Sequence, residues 1–189
     1  IGYVNEKYLK QIGIKKVGKN VLLSKNCTII GIENISIGNN VRIDGYTSLI
    51  ANDKRGLKIG SNVHIASYCM INSRFGIELG DFSGLSHGVK IYSASDDYSG
   101  HALTNPTIPQ EYLNLYKGRV KICKHVIIGS GTVIFPNLTI GEGCSIGANS
   151  LVNKSLEPWG IFFGSPVKRI KSRSQDLLKL ERKYNESKR

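Results

Sequence analysis

Residues 120–157 read VKICKHVIIGSGTVIFPNLTIGEGCSIGANSLVNKSLE, and their aliphatic residues recur with a strict period of six. An amphipathic helix needs apolar residues at intervals of three and four, and a half-buried strand needs them at intervals of two. A period of six indicates short parallel strands wound into a coil, in which each unit forms one flat side and then turns. The residues that carry the period are Ile122, Ile128, Ile134, Ile140, Ile146 and Val152.

The same period extends towards the N-terminus in groups of three units, and three units close one triangular turn. It begins faintly and is shifted near Glu33, interrupted by a polar segment at 52–56, and shifted again at 74–76. It then stops over residues 93–119, and a stretch of this length inside a compact repeat predicts a protruding loop with a functional role. The earlier units are Val17, Leu23 and Ile29; Ile37, Ile43 and Leu49; Ile59, Ile65 and Ile71; and Leu79, Leu85 and Ile91.

The ends of the chain predict helices that cover the ends of the coil. Residues 5–11 form a short amphipathic pattern, and a second helical pattern starts at Ser172, with Ser172 or Ser174 as its cap. A stack of repeats needs such covers, because each coil buries its interior only against its neighbours. We therefore expect one all-β coil domain with its N-terminal cap over residues 1–171 and a C-terminal α-helix over residues 172–189.

Composition limits the partners and the compartment. A net charge of +12 favours an anionic ligand, such as a nucleic acid, a nucleotide cofactor, a phosphorylated sugar or an acidic lipid. No run approaches the roughly 20 apolar residues of a membrane span, so membrane insertion is not expected. The four cysteines form no C-x-x-C pair, and no signal peptide is evident although the first residue is not Met. These features predict reduced thiols and a cytoplasmic location.

Residues 37–167 repeat an aliphatic residue, a small one, two variable ones and a small inner one, and so resemble the hexapeptide-repeat acyltransferases. The resemblance implies a left-handed parallel β-helix and a homotrimer that binds acetyl-CoA between adjacent coils. The handedness rests on the resemblance, because parallel strands are usually connected by right-handed crossovers. The faces over residues 122–148 carry little charge, which independently favours packing against another copy of the chain.

Two stretches imply where the coenzyme binds. Residues 146–154, IGANSLVNK, resemble the last coil of sugar and xenobiotic acetyltransferases, and residues 164–170, GSPVKRI, resemble the exit turn of that group. In that group the turn lies beside the adenosine end of the coenzyme, and a backbone N–H equivalent to that of Ser130 lies beside the thioester. The implied coenzyme-binding residues are Gly129, Ser130, Gly131, Gly147, Ala148, Ser165, Pro166, Lys168 and Arg169.

Residues 82–100, FSGLSHGVKIYSASDDYSG, resemble a branch found in lipopolysaccharide and capsule gene sets, in which S-D-D-[FY]-S-G starts the protruding loop. Related galactoside, maltose and antibiotic acetyltransferases have a histidine base at that point, and here Asp97 takes its place. His87 is an alternative base, since an unperturbed imidazole titrates near pH 6.5. Asp97 and Asp96 could instead orient a histidine or bind a sugar hydroxyl, and His101 could take either role.

The acceptor side is less constrained by the sequence. Asn72 and Arg74 lie at the second shift, facing the loop, and are candidate acceptor-binding residues; Arg74 would suit the phosphate of a nucleotide sugar. His64 and His125 lie in regular units and are expected to be structural, although His125 could border the coenzyme cleft.

Together these features predict an acetyl-CoA-dependent acetyltransferase that acts on a nucleotide-linked amino sugar or a polysaccharide precursor. The acetyl group would pass directly to the acceptor in a ternary complex at a subunit interface. The sequence leaves open O- or N-acetylation and acetyl or a longer acyl group. The missing loop histidine favours either an amine, which can attack without a base, or His87 as the substitute base. The alternatives are an O-acetyltransferase of a plain glycoside or other small acceptor and a non-catalytic scaffold.

Two further classes fit less well. A metal-dependent hydratase of the same fold needs three histidines on one zinc, with two of them close in sequence, and His64, His87 and His101 lack that short spacing. No metal is therefore expected. Nucleic acid is not expected as a partner either, because the aromatic platforms of such proteins are missing.

Overall fold

Short parallel strands form the walls of a left-handed β-helix of about 7 turns. This computed structural model describes residues 2–188, so Ile1 and Arg189, the outer limits of the two predicted segments, lie outside the described residues. The chain passes repeatedly through three sheets in the order B, A, C, and each coil is a triangle with three corners. We call these the B–A, A–C and C–B corners.

Sheet A has nine strands, sheets B and C have six each, and a two-stranded antiparallel sheet lies outside the coil. Sheet A contains Tyr3–Val4, Val21–Ser24, Val41–Ile43, His64–Ile65, Gly84–Leu85, Ile127–Ile128, Ser145–Ile146, Gly160–Phe163 and Lys168–Ser172. Sheet B contains Lys16–Val17, Ile35–Ile37, Leu57–Ile59, Ile77–Leu79, Val120–Ile122 and Leu138–Ile140. Sheet C contains Thr28–Ile30, Ser48–Ile50, Met70–Asn72, Lys90–Tyr92, Val133–Ile134 and Leu151–Val152.

The period of six arises because each six-residue unit forms one side of the triangle, and each aliphatic residue then stacks on the aliphatic residue of the next coil. Ile59 of sheet B, for example, pairs with Ile37 on one side and with Leu79 on the other, and all three are buried. Burying one such side chain contributes about 2 kcal/mol relative to leaving it exposed. The predicted parallel β-helix is confirmed, and its aliphatic positions are buried except for Val17 and Ile29 in the first coil, which are half-buried.

The four cysteines are free thiols, as the sequence predicted. Cys69 and Cys144 are buried, and burial raises the pKa of the Cys69 thiol to about 11. Such thiols stay protonated at neutral pH and pack as small apolar side chains.

All the interruptions of the period fall on the C–B corner. It holds a 3₁₀ turn at Ile32–Asn34, the polar segment 52–56, the shift at 74–76 and the predicted loop. The loop connects Lys90–Tyr92 to Val120–Ile122, and its base is closed by the antiparallel strands Ala94–Ser95 and Tyr116–Lys117. A second 3₁₀ turn, Gln110–Tyr112, lies inside the loop. The protruding loop over residues 93–119 is thus confirmed, and one corner of the triangle carries nearly all the irregular structure.

Both predicted helices are present, but the second starts later than the sequence indicated. Helix α1 spans Glu6–Gln11, capped by the Asn5 side chain. Helix α2 spans Leu177–Glu186, and neither Ser172 nor Ser174 caps it. Residues 168–172 instead form an antiparallel strand on Gly160–Phe163, because backbone groups at a sheet edge need partners.

Candidate active site

His87 lies on the A–C corner, between the strands Gly84–Leu85 and Lys90–Tyr92. Its side chain is exposed, and its backbone carbonyl accepts a hydrogen bond of 2.9 Å from the N–H of Gly131 in the next coil. Neighbouring coils are spaced by about 4.8 Å. His87 therefore lies one coil away from Ser130, whose N–H is the predicted donor to the thioester oxygen.

The predicted coenzyme residues continue along the same corner, coil by coil. The Ser130 carbonyl accepts a hydrogen bond of 2.7 Å from the Asn149 N–H, and the Gly164 carbonyl accepts one of 3.0 Å from the Leu151 N–H. Ser130, Ala148, Ser165 and Pro166 are exposed, as are Lys168 and Arg169 on the last strand of sheet A. The predicted set thus forms one exposed ridge from Ser130 to the two cations, and its role in binding the coenzyme stays a prediction.

Two glycines of this ridge also have a structural reason to be glycine. A Cβ on Gly129 would overlap the backbone of Gly147 and Ala148 in the next coil, and one on Gly131 would overlap the side-chain oxygen of Asn149. Gly131 also has a φ of 72°, in the left-handed region that favours glycine. The tight stacking of coils explains these two residues whether or not a coenzyme arm passes them.

Asp97 holds the start of the loop in shape. Its carboxylate accepts hydrogen bonds from the N–H groups of Ser99, His101 and Ala102, at 3.0 to 3.1 Å, and from the Ser99 hydroxyl at 2.7 Å. The Ser99 hydroxyl, followed by the backbone N–H groups, lowers the pKa of Asp97. Ser99 Oγ also lies 2.6 Å from His101 Nδ1. This arrangement favours the orienting role of Asp97 over the role of a general base.

Asp96 and the two predicted acceptor-binding residues line one cavity. Asn72, Arg74 and Asp96 surround about 630 Å³ between sheet C and the loop, together with Asn52 and Asn105. Carboxylate, amide and guanidinium groups can all hydrogen-bond sugar hydroxyls and phosphates. The structure therefore brings together the residues predicted for the acceptor side.

Cations gather around the ring of Phe75, next to Arg74, and the sequence reasoning missed this cluster. Arg55, Arg74 and Lys117 lie 4.8, 5.6 and 5.3 Å from the ring centroid. Of these three, only Arg55 has a carboxylate partner among the described residues. A cavity of about 330 Å³ beside Phe75 is lined by further cations: Lys15, Lys54, Lys58 and Arg119. The sequence did contain a signal for this cluster, because the interruptions at 52–56 and 74–76 both carry arginine.

The predicted catalytic residues fall on two different corners of the triangle. His87 is on the A–C corner, whereas Asp96, Asp97 and His101 belong to the loop on the C–B corner. The strands of sheet C lie between these corners in every coil. Sheet C therefore lies between His87 and the start of the loop within one chain.

The other two histidines have structural partners, in agreement with the prediction. His64 Nε2 lies 2.8 Å from Asp44 Oδ2, and His125 Nε2 lies 2.8 Å from Glu181 Oε2 of helix α2. His125 is buried, so the idea that it borders the coenzyme cleft has no support. Within residues 2–188, no three side chains of the His, Cys, Asp and Glu types are grouped to hold a metal. None of the described helices is long and apolar enough to span a bilayer.

Comparisons with known proteins identify the family. No family model matches the chain. A dTDP-4-amino-4,6-dideoxy-D-glucose acyltransferase from Escherichia coli is 41% identical over 187 residues, which cover 99% of this chain and 97% of the relative. The chain belongs to the hexapeptide-repeat acyltransferases. The predicted family and the predicted enzyme class, a sugar acyltransferase, are confirmed.

Two further relatives are similar over most of the chain. The N-acyltransferase AntD from Bacillus cereus, solved in complex with dTDP and 3-hydroxybutyryl-CoA, has 45% identity and a TM-score of 0.94, covering 98% of this chain and 97% of AntD. A serine variant of AntD was solved with dTDP-4-amino-4,6-dideoxyglucose and coenzyme A. WbbJ of Escherichia coli K12, named for O-acetyl transfer in lipopolysaccharide biosynthesis, is 26% identical over 84% of this chain and 88% of WbbJ.

Proposed function

We propose that this chain is an acyl-CoA-dependent N-acyltransferase whose acceptor is a dTDP-linked 4-amino-4,6-dideoxy sugar. The observation that carries the proposal is the end-to-end similarity, at 41% identity, to a relative named for that acceptor. AntD, which shares the fold over almost its whole length, binds the same sugar nucleotide and coenzyme A in a solved variant. The missing loop histidine, which favoured an amine acceptor, agrees with N-acyl transfer.

The reaction needs only positioning, a hydrogen-bond donor for the developing oxyanion and an acceptor for one proton. The amine lone pair attacks the thioester carbonyl, whose oxygen becomes negative and accepts a hydrogen bond from the Ser130 N–H. His87 takes the proton that the amine loses. The carbonyl then re-forms, the C–S bond breaks, and the His87 proton passes to the departing sulfur. The products are an amide and free coenzyme A.

The charge around the acceptor cavity fits a sugar nucleotide. Arg74 lines the cavity that also contains Asn72 and Asp96, and it belongs to the group of cations around Phe75. A diphosphate gains from charge-assisted hydrogen bonds to such cations. We place the amino sugar towards the reaction centre and the diphosphate towards Arg74.

The donor and the biological setting extend the proposal. The sequence favoured acetyl-CoA, whereas AntD binds 3-hydroxybutyryl-CoA, so both are candidate donors. The similarity to WbbJ supports a role in supplying acylated sugars for lipopolysaccharide or O-antigen. Buried free thiols agree with a reducing compartment, and we propose a cytoplasmic enzyme.

We further propose a homotrimer in which each active site lies between two subunits. The support is geometric: His87 and the loop lie on different corners of the same coil, so a neighbouring subunit would supply the second group. The weakly charged faces noted in the sequence agree with packing between copies.

A thiol-release assay tests the function. Acetyl-CoA and 3-hydroxybutyryl-CoA would each be offered with dTDP-4-amino-4,6-dideoxyglucose, the matching 4-hydroxy sugar nucleotide, and plain glycosides. We expect turnover only with the amine, and mass spectrometry should identify an amide product. Turnover with hydroxyl acceptors would support O-acetylation instead. Coenzyme A binding without turnover on any acceptor would support a scaffold, and stoichiometric zinc would support a hydratase.

A further inference from the structure

Two stacked tyrosines stand on the A–C corner, in the coils that precede His87. The rings of Tyr46 and Tyr68 have centroids 5.2 Å apart and an interplanar angle of 8°. Both residues remain more than 60% exposed, at 62% and 63%. Their φ angles are 60° and 65°, a region that is unfavourable for bulky side chains. Two aromatic residues are therefore held in a costly conformation with their rings in solvent.

Packing within the chain does not explain this pair. On the B–A corner, Phe82 and His125 also have positive φ angles, but their rings stack at 5.3 Å and Phe82 contacts Tyr184 of helix α2. Helix α2 thus covers the aromatic residues of that corner. Tyr46 and Tyr68 have no such covering element within residues 2–188.

The backbone places glycine directly after the tyrosines in the same stack. The N–H of Tyr68 donates to Gly45, that of Gly88 donates to Ser67, and that of Gly131 donates to His87, at 2.9 to 3.2 Å. Each acceptor comes directly before the corner residue of its own coil, and each donor is the corner residue of the next coil. The corner position is occupied, in four successive coils, by Tyr46, Tyr68, Gly88 and Gly131.

This order leaves room for a flat ring on Tyr68. A Cβ on Gly88 would meet only the backbone of Gly131, at 3.8 and 4.0 Å, and no side chain. Coils are spaced by about 4.8 Å, which is within the range at which rings stack. The space above the Tyr68 ring lies beside His87 and one coil below Ser130, which are the two groups assigned to proton transfer and to the oxyanion.

We propose that Tyr68, supported by Tyr46, is the platform on which the pyranose ring of the acceptor stacks. The inference rests on the proposed function and adds a specificity-determining residue to it. The occupant is the sugar rather than the nucleobase, because the ring beside His87 must carry the amine, and the diphosphate separates the amine from the base. The C–H face and the methyl group of a 6-deoxy sugar are apolar and match an aromatic surface.

Tyr68→Ala and Tyr68→Phe test the platform, with Tyr8→Ala on helix α1 as the control for an exposed tyrosine elsewhere. We expect Tyr68→Ala to raise the acceptor KM by about tenfold or more, a usual scale for losing one aromatic platform. The kcat should fall less than KM rises, and the affinity for coenzyme A should be unchanged. Tyr68→Phe keeps the aromatic ring, so its acceptor KM should stay close to that of the wild type. The acceptor KM of Tyr8→Ala should also equal the wild-type value.

Proton NMR of the bound sugar nucleotide supplies a readout that does not require turnover. Ring protons of the sugar should shift upfield with the wild type and not with Tyr68→Leu, which keeps an apolar side chain without the aromatic ring. Unshifted sugar protons together with an unchanged KM in Tyr68→Ala would refute the platform. So would dissociation of the oligomer in Tyr68→Leu, since the pair would then be an interface element. Absence of acyl transfer by the wild type refutes the proposed function, while the NMR shifts still decide the platform.

Discussion

At the scale of single residues, we propose different tasks for the carboxylate of Asp97 and the imidazole of His87. Asp97 is surrounded by hydrogen-bond donors that lower its pKa, so it is a weak base at neutral pH. His87 is exposed and lies one coil from Ser130, so its ring is accessible to the amine of the sugar. The sequence named both residues but could not rank them, because the donors around Asp97 come from the folded shape of the loop.

His87→Ala should lower kcat by more than tenfold, the scale expected when a proton acceptor is lost. Steady-state kinetics with saturating acceptor would measure the change, and added imidazole should restore part of the rate. His64→Ala is the matched control, because that histidine pairs with Asp44 away from the proposed centre. Full turnover by His87→Ala would remove this residue from the mechanism.

Asp97→Asn should also lower kcat by more than tenfold, although for a different reason. An amide accepts the three backbone hydrogen bonds less well than a carboxylate, so the loop start should loosen. Hydrogen exchange at the Ala102 N–H should become faster in this variant and stay slow in His87→Ala. A variant with normal exchange and a large loss of rate would instead indicate a direct chemical role for Asp97.

Asp44 supplies a prediction about acid stability. It accepts hydrogen bonds from Tyr3 at 2.6 Å and Arg42 at 2.7 Å, and it contacts His64. Burial alone would raise the pKa of Asp44, but these hydrogen bonds lower it to about 2. Because the folded pKa is lowered, this stabilisation is complete above the unfolded value of about 3.9 and is lost as pH falls towards 2.

We therefore expect the wild type to lose free energy of unfolding between pH 4 and pH 2. Asp44→Asn should be less stable at pH 7 and should lose less over the same acid range. Urea unfolding at several pH values measures both effects, with Asp176→Asn as a surface control. Equal pH dependence in wild type and Asp44→Asn would contradict the assignment.

At the scale of elements, helix α2 is attached to the coil by polar contacts. Glu181 accepts a hydrogen bond from Lys124 at 2.6 Å and contacts His125, and Arg173 donates to the carbonyls of His125 and Gly143. Burial would raise the pKa of Glu181, whereas Lys124 and His125 lower it overall. These contacts join residues that are far apart in the chain, so the sequence pattern could not predict them.

Glu181→Gln should loosen helix α2 and reduce stability by about 1–3 kcal/mol, the usual cost of leaving buried polar groups poorly paired. Denaturant unfolding would measure the loss, and hydrogen exchange should show it concentrated in residues 177–186. Glu186→Gln on the same helix is the exposed control. A uniform loss of protection over the whole coil would show that the contact supports more than the helix.

The elements also show why some of the fold was predictable and some was not. The stacking of Ile37, Ile59 and Leu79 follows from local periodicity, since every coil repeats the same requirement. The predicted start of helix α2 was wrong. Ser172 is a residue type that often caps a helix, but residues 168–172 pair instead with the edge strand of sheet A. The cations around Phe75 come from separate interruptions, and only the closed corner brings them together.

At the scale of the whole molecule, the separation of the catalytic residues over two corners predicts cooperation between chains. Light scattering should give three times the chain mass of 20.8 kDa. The weakly active His87→Ala and Asp97→Asn chains, refolded together in equal amounts, should regain about a quarter of wild-type activity. On average one site in four would then combine an intact His87 with an intact Asp97 from the neighbouring subunit. Mixtures that stay inactive would place both residues in one subunit's site.

The two antiparallel strands at the ends of sheet A have a consequence for solubility. A stack of identical parallel rungs is a template on which a further chain could add, as in a growing fibril. Here Tyr3–Val4 terminates one end of the sheet and Lys168–Ser172 terminates the other, both running against the direction of the coil. The outer strand also presents Lys168, Arg169 and Lys171, so two molecules approaching at this end repel each other. These two antiparallel strands therefore limit the stack to its own coils and oppose the addition of a further chain at either end of sheet A.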